Sequence, residues 1–429
     1  MTPNLPPPTA TSMPPTYTIN LSSAPLVRYK LVAKSYSSVL RQIANLYTEA
    51  ISNLGLPVSL FHFLGRLLLY RLYSQEQTEE LRGISQASRV PMYLLVGYNV
   101  FLDLLLGCTS GGMLVRDSWA GIGEGIEETT MMHFRTLDWP MPVLRDAIVQ
   151  FEYIETTGGD VIARTLGYVG FVGVLTGVRK GLSVSLNFRP YHNASGVSIA
   201  NFSYYWNTLM VLLGRRPSIS TILRDFLLPS TTVPRRGLTR RGLTAQEVEE
   251  AEKELMSHNT PPHTPQAISS LLPTLRTPAA YLIFCTPTET IILEKDLQTT
   301  KALRSSSFLS ATNHDLALET DPLDPSSHTQ AQKTRTHAFL QASMHDILAE
   351  SIERKHCLTA KWAAWSQRQA RQAKRGQPAA TGVTLVTLRR WVETYPVCNE
   401  VTHFACIMDP SQGVFRWVRK FEVGEIGEG

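Results

Sequence analysis

A chain of 429 residues, 43% hydrophobic and 18% charged, has enough apolar content to bury a sizeable core. Its formal charge of +5 leans toward anionic surfaces such as lipid headgroups; it is too small to argue for nucleic acid, and no aromatic-basic recognition motif is present. The 5 cysteines (Cys108, Cys285, Cys357, Cys398, Cys406) lack CxxC and Cys/His metal spacing, which speaks against a zinc site and fits a reducing compartment.

In chain order, residues 1–16 read as a disordered tail, rich in proline and threonine, without the apolar run of a signal peptide. The expectation is a cytosolic protein, in which sequons at Asn20, Asn193 and Asn201 carry no sugar. Residues 17–107 read as an N-terminal helical segment. Tyr17–Leu21 suits a short strand, and Val32, Tyr36, Val39, Leu40, Ile43, Leu46, Tyr47 and Ala50 recur at helical spacing as a core stripe. Val58 to Tyr73 is strongly apolar but interrupted by Arg66 and Arg71, and shorter than the ~20 residues of a membrane span. It reads either as a buried helix or as an interfacial helix on a bilayer. Ser74–Gln77 makes a capping box, Pro91 suits a helical first turn, and Met92 to Leu106 is apolar all round, as in a buried helix.

From residue 108 the pattern alternates. Thr130 to Arg135, Ile148–Ile154, Val161–Leu166 and Leu182–Arg189 read as strands. Tyr281–Cys285 with Thr290–Glu294, and Val401–Met408 with Val414–Arg419, read as hairpins. Helices are expected at Ser218–Leu227 and Thr334–Ser351. Residues 229–273 and 367–381 look inserted, polar or basic and suited to solvated loops. Strand clusters separated by helix clusters suit an α+β sandwich.

The helical and alternating parts meet at Gly107-Cys108-Thr109-Ser110. A buried cysteine that merely packs is the common case. Arg135 and Asp138 shift that balance, because a short strand end aims both toward one sulfur. A guanidinium favours the thiolate, the useful nucleophile. Cutting Gly107–Cys108 would free an α-amine of pKa near ~8 to serve as the base.

Gly107-Cys108-Thr109-Ser110 followed by His133-Phe134-Arg135-Thr136-Leu137-Asp138-Trp139 resembles the acid ceramidase and N-acylethanolamine-hydrolysing acid amidase family of N-terminal-nucleophile hydrolases. Glu79–Ser85, Tyr98-Asn99, Gly167–Gly170, Leu175–Gly177, Ser183–Asn187, Ala311–Asp315 and Tyr395–Val397 extend the likeness from about residue 20 to 420. The resemblance implies a four-layer αββα sandwich over residues 108–429, and hydrolysis of ceramide or an N-acylethanolamine after autocleavage. It also implies Cys108 as nucleophile and new N-terminus, with Arg135 and Asp138 beside it. Asn313 is implied as an amide donor to the tetrahedral oxyanion, and Arg335, at looser spacing, as a second arginine. It implies no metal or organic cofactor, and for animal relatives a lysosomal location.

One departure stands out: the family reads Glu-Arg where this chain has Phe188-Arg189, leaving Asn187 as the nearby polar group. His133 and His314, beside site residues, read as structural hydrogen-bonders. Two readings stay beside hydrolysis: an acyltransferase with the same nucleophile, and a non-catalytic lipid-binding protein on the same fold.

Overall fold

Two sheets position every residue of interest. The computed structural model describes residues 13–53, 55, 57–101, 107–117, 128–190, 198–231, 259–315 and 338–426. The first sheet runs in the order β1 (Thr16–Asn20), β4 (Ile148–Ile154), β5 (Val161–Tyr168), β6 (Thr176–Arg179), β7 (Leu182–Phe188), β10 (Thr277–Cys285), β11 (Thr290–Leu297), β12 (Thr299–Ser305). Strand β1 is parallel to β4, and the remaining neighbours are antiparallel. The second sheet runs β13 (Phe308–Ala311), β2 (Gly107–Asp117), β3 (Glu128–Asp138), β15 (Thr402–Asp409), β16 (Val414–Lys420), and β14 (Val383–Thr384) pairs with β2. A small ribbon joins β8 (Ser230–Thr231) to β9 (Asn259–Thr260).

The sheets face one another, with β2 against β7, β10 and β11. Helices α7 (Ser198–Leu212) and α8 (Ile219–Leu227) cover the outer side of the first sheet. Beyond them in sequence lie α9 (Ala267–Ser270), α10 (Ala338–Lys374) and α11 (Leu385–Val392), the last two covering the outer side of the second sheet. This is the α+β, four-layer αββα arrangement that the resemblance implies. Helices α1 (Pro25–Arg28), α2 (Lys30–Ser35), α3 (Ser37–Asn53), α4 (Val58–Leu68), α5 (Gln75–Ser88) and α6 (Met92–Phe101) pack on one another and share one hydrophobic core with the first sheet.

Period-two alternation explains the layering. On β7, Leu182, Val184 and Leu186 enter the core, while Ser183, Ser185 and Asn187 bond residues of β2 and β3. On β2, Met113 and Val115 pack with Leu358 of α10 and Leu388 of α11, while Ser110 turns to the first sheet. Gly112 permits close approach, since a Cβ there would lie 1.8 Å from Thr290 Oγ1.

The expected strand at Tyr17–Leu21 and both hairpins form at nearly the expected bounds. Ser74 caps α5, its side chain accepting from Gln77 N–H. Helix α10 corrects the reading of residues 367–381, because it continues through Lys374. Gln367 to Lys374 is rich in alanine, glutamine, arginine and lysine, which favour helix, and its first glycine comes at Gly376. Polarity there marked exposure and said nothing about the backbone. The end of the expected buried helix (102–106), most of the insertion (232–258) and the start of the expected helix (334–337) lie outside the described residues.

Candidate active site

Strand β2 opens on Gly107, and Cys108 pairs with Leu137 of β3 in an antiparallel ladder. The Cys108 side chain is fully buried between the sheets. Arg135 Nη2 donates to its Sγ at 3.2 Å, and the thiol lies 3.7 Å from the Leu186 carbonyl oxygen. Arg135 is braced at Nη1 by Asn187 Oδ1 at 3.5 Å, and the same oxygen accepts Ser110 Oγ–H at 2.7 Å. Asn187 Nδ2 donates to the Ala311 carbonyl at 3.0 Å. Asn187 thus fills the polar role beside Arg135, while Phe188 packs against the main core.

Asp138 takes another path than expected. Residues three apart on a strand point to opposite faces, so Arg135 reaches the sulfur and the Asp138 carboxylate does not. Its Oδ1 accepts the Thr402 hydroxyl at 2.7 Å, and its Oδ2 lies 3.8 Å from Arg354 Nη1 on α10. The aspartate lies beside Gly107 instead: a Cβ on Gly107 would meet Asp138 Cβ at 3.3 Å. Burial raises its carboxyl pKa against the opposing pull of Arg354 and Thr402.

Asn313 follows β13 and is fully buried. Its Oδ1 accepts the Cys108 backbone N–H at 2.9 Å and Arg354 Nη2 at 3.1 Å, while Nδ2 donates to the Phe188 carbonyl at 2.8 Å. Two donors on one side and a carbonyl on the other fix the amide's orientation. Asn313 therefore holds the Cys108 nitrogen with its oxygen, and the donor expected for an oxyanion is engaged by the Phe188 carbonyl.

Arg335 lies outside the described residues. The arginine seated against Asn313 is Arg354, 41 residues along the chain. The expected helix stopped at Ser351, one turn short of it; the only available signal was the helix-favouring sequence that continues past that point. The His133 ring bridges Ser183 Oγ at 3.0 Å and Ser185 Oγ at 2.8 Å, and burial with Arg135 nearby lowers its pKa to about 3, while His314 Nδ1 lies 2.8 Å from Ser351 Oγ and 3.0 Å from Thr312 Oγ1.

The thiol is not pre-ionised. Burial pushes the Cys108 pKa up to about 11, outweighing Arg135, which pulls it down. Among the described residues no three His, Cys, Asp or Glu side chains cluster as metal ligands would.

A family model described as the beta subunit of N-acylethanolamine-hydrolyzing acid amidase matches residues 12–72. The N-acylethanolamine-hydrolyzing acid amidase of Caenorhabditis elegans is 29% identical over 222 residues, 49% of this chain and 56% of its own length. The acid ceramidase of Mus musculus is 24% identical over 207 residues, 44% of this chain and 49% of its own. The chain spans about half the length of the curated relatives it matches. A solved Caenorhabditis elegans N-acylethanolamine-hydrolyzing acid amidase ortholog aligns with 71% of this chain and 93% of its own at 18% identity, with a TM-score of 0.38, too loose a likeness to argue from.

Proposed function

We propose that this relative of the acid ceramidase and N-acylethanolamine-hydrolysing acid amidase family hydrolyses N-acyl lipid amides, ceramide or an N-acylethanolamine, through Cys108 after cutting its own Gly107–Cys108 bond. The observation that supports the reading is Cys108, whose thiol lies 3.2 Å from the Arg135 guanidinium and whose backbone nitrogen donates at 2.9 Å to the Asn313 side-chain oxygen.

Cleavage starts with Cys108 Sγ attacking the Gly107 carbonyl carbon, the thiol proton passing to the departing amide nitrogen. Water then hydrolyses the resulting thioester, leaving the Gly107 carboxylate and restoring the Cys108 thiol beside its freed α-amine. Cutting supplies what the uncut chain lacks, since an amide nitrogen is no base and the buried thiol is neutral. Asn313 Oδ1 keeps hold of one amine N–H, leaving the lone pair to accept the thiol proton. Sulfur then attacks the substrate carbonyl, the amine proton goes to the leaving nitrogen, and the acyl-thioester is hydrolysed by water activated at the same amine. Arg135 stabilises the sulfur's negative charge. Asp138 and Arg354 fix the strand end and Asn313 around it.

A lipid substrate suits the surface beside α6. Leu60, Phe63, Leu67, Tyr70 and Tyr73 on and after α4, and Phe202, Tyr205, Trp206 and Leu209 on α7, are exposed. The C-terminal ends of α4 and α7 meet, because a Cβ on Gly214 would lie 2.7 Å from the Arg71 carbonyl oxygen. Arg66, Arg71, Arg215 and Arg216 belong to the same two stretches, and residues 57–73 and 198–218 contain no acid. Exposed aromatics among arginines and no acids fit a lipid surface. Among the described residues no helix is long and apolar enough to cross a membrane.

The test is purified protein followed by intact mass and fatty-acid release from a fluorescent N-acyl amine. The larger fragment is expected to begin Cys-Thr-Ser-Gly, and Cys108→Ser to stay one chain and lose release. Release that survives Cys108→Ser would end the assignment.

A further inference from the structure

Helix α10 grips Asn313 twice. Ser351 and Arg354 are three residues apart and so share one helix face. Arg354 donates to the Asn313 side-chain oxygen, and Ser351 Oγ accepts the Asn313 backbone N–H at 2.7 Å. The same hydroxyl lies 2.8 Å from His314 Nδ1, which is 3.0 Å from Thr312 Oγ1. Thr312, Asn313, His314 and Ser351 are all buried. A buried backbone N–H needs an acceptor, so the hydroxyl is tied to the position of the main chain that carries Asn313.

We propose that Ser351 and His314 are positioning residues: His314 orients the Ser351 hydroxyl, the hydroxyl seats the Asn313 backbone, and that backbone sets where Asn313 Oδ1 holds the Cys108 nitrogen. The inference rests on the proposed amidase reading. Neither residue reaches Cys108; both act through Asn313. The geometry gives them leverage because Oδ1 and the main chain of one residue are held from one helix. A shift of the strand end after β13 moves the nitrogen that must act first as leaving group and later as base.

Ser351→Ala, Ser351→Thr and His314→Phe are compared with wild type and Cys108→Ser for cleavage rate, for kcat and KM against pH, and for melting temperature. Ser351→Ala and His314→Phe are expected to cut and turn over about 10-fold or more slowly, with KM within about twofold of wild type. The acidic limb of kcat should move to lower pH, because a loosened acceptor stabilises the protonated amine less. Ser351→Thr, which keeps the hydroxyl, should restore most of the rate. Wild-type rates in Ser351→Ala overturn the inference, as does a lower kcat with an unmoved pH limb and a fallen melting temperature, the mark of a merely structural role. A wild type that neither cuts nor hydrolyses overturns the amidase reading and this inference with it. Cutting and hydrolysis that persist in Cys108→Ser overturn the assignment of Cys108 as nucleophile, whereas wild-type rates in Ser351→Ala beside an inactive Cys108→Ser overturn this inference alone.

Discussion

At Cys108, burial and a guanidinium pull the thiol in opposite directions, and burial wins. Arg135 is the largest influence favouring thiolate, so Arg135→Ala should push the thiol pKa higher and slow self-cleavage near neutral pH by about 10-fold or more. The pH–rate curve should move upward as well as down in height; stopped-time intact mass across pH reads both. An unmoved curve would show that the thiolate does not limit the step. His133 gives a second residue-scale test. Its folded pKa of about 3 lies below the unfolded value of 6.5. The stability its neutral ring contributes is therefore present above pH 6.5 and lost as pH falls toward 3. His133→Gln, which keeps hydrogen-bonding groups for Ser183 and Ser185, has no such loss. The wild-type advantage in urea unfolding should shrink by roughly 2 kcal/mol between pH 7 and pH 5. A constant gap would mean that the ring is not held neutral.

Among the elements, α4 and α7 carry an exposed aromatic surface, with Phe63 62% and Phe202 67% exposed. Each buried aromatic contributes on the order of 2 kcal/mol on leaving water. Phe63→Ser with Trp206→Ser should therefore weaken binding to vesicles containing anionic lipid by at least about 10-fold. Hydrolysis of a soluble short-chain amide should stay unchanged. Sedimentation with vesicles measures the first, and equal sedimentation of variant and wild type would remove the docking role from this face. Salt should weaken the wild-type interaction, because the arginines of these stretches act through screened charge.

For the molecule as a whole, the pieces before and after Cys108 are joined by a buried charge cluster. Glu80 takes Arg28 at 2.9 Å from the N-terminal side of Cys108 and Arg224 at 2.6 Å from the C-terminal side, with Glu76 beside them. Arg224 also donates to the Val172 carbonyl at 2.6 Å, and Asn99 bonds Gly170 O and Val172 N at 2.8 Å each. Arg224→Met leaves buried carboxylates short of a partner, which costs about 3–5 kcal/mol. After cleavage that loss should appear as separation of the two pieces in size-exclusion chromatography, and before cleavage as a lower melting temperature. Co-elution at wild-type stability would show that the apolar core alone holds them.

The sequence by itself determined the strands, the hairpins and the layered α+β class, because alternation and turn residues are local physics, while the pairing of Cys108 with Arg135 came from the family resemblance. The odd spacing of Asp138 from Arg135 already put it on the other face, which the reading of both as aimed at one sulfur passed over. Only the tertiary structure decided that Asn313 turns its oxygen to Cys108, that Arg354 reaches Asn313, and that Asn187 braces Arg135. Those partners are separated by 205, 41 and 52 residues. Loop closure costs depend only weakly on length, so spacing along the chain does not say which distant side chain arrives. Burial was decided there as well, and with it the neutral thiol: desolvation depends on the atoms of two sheets closing over Cys108, which no stretch of sequence carries alone.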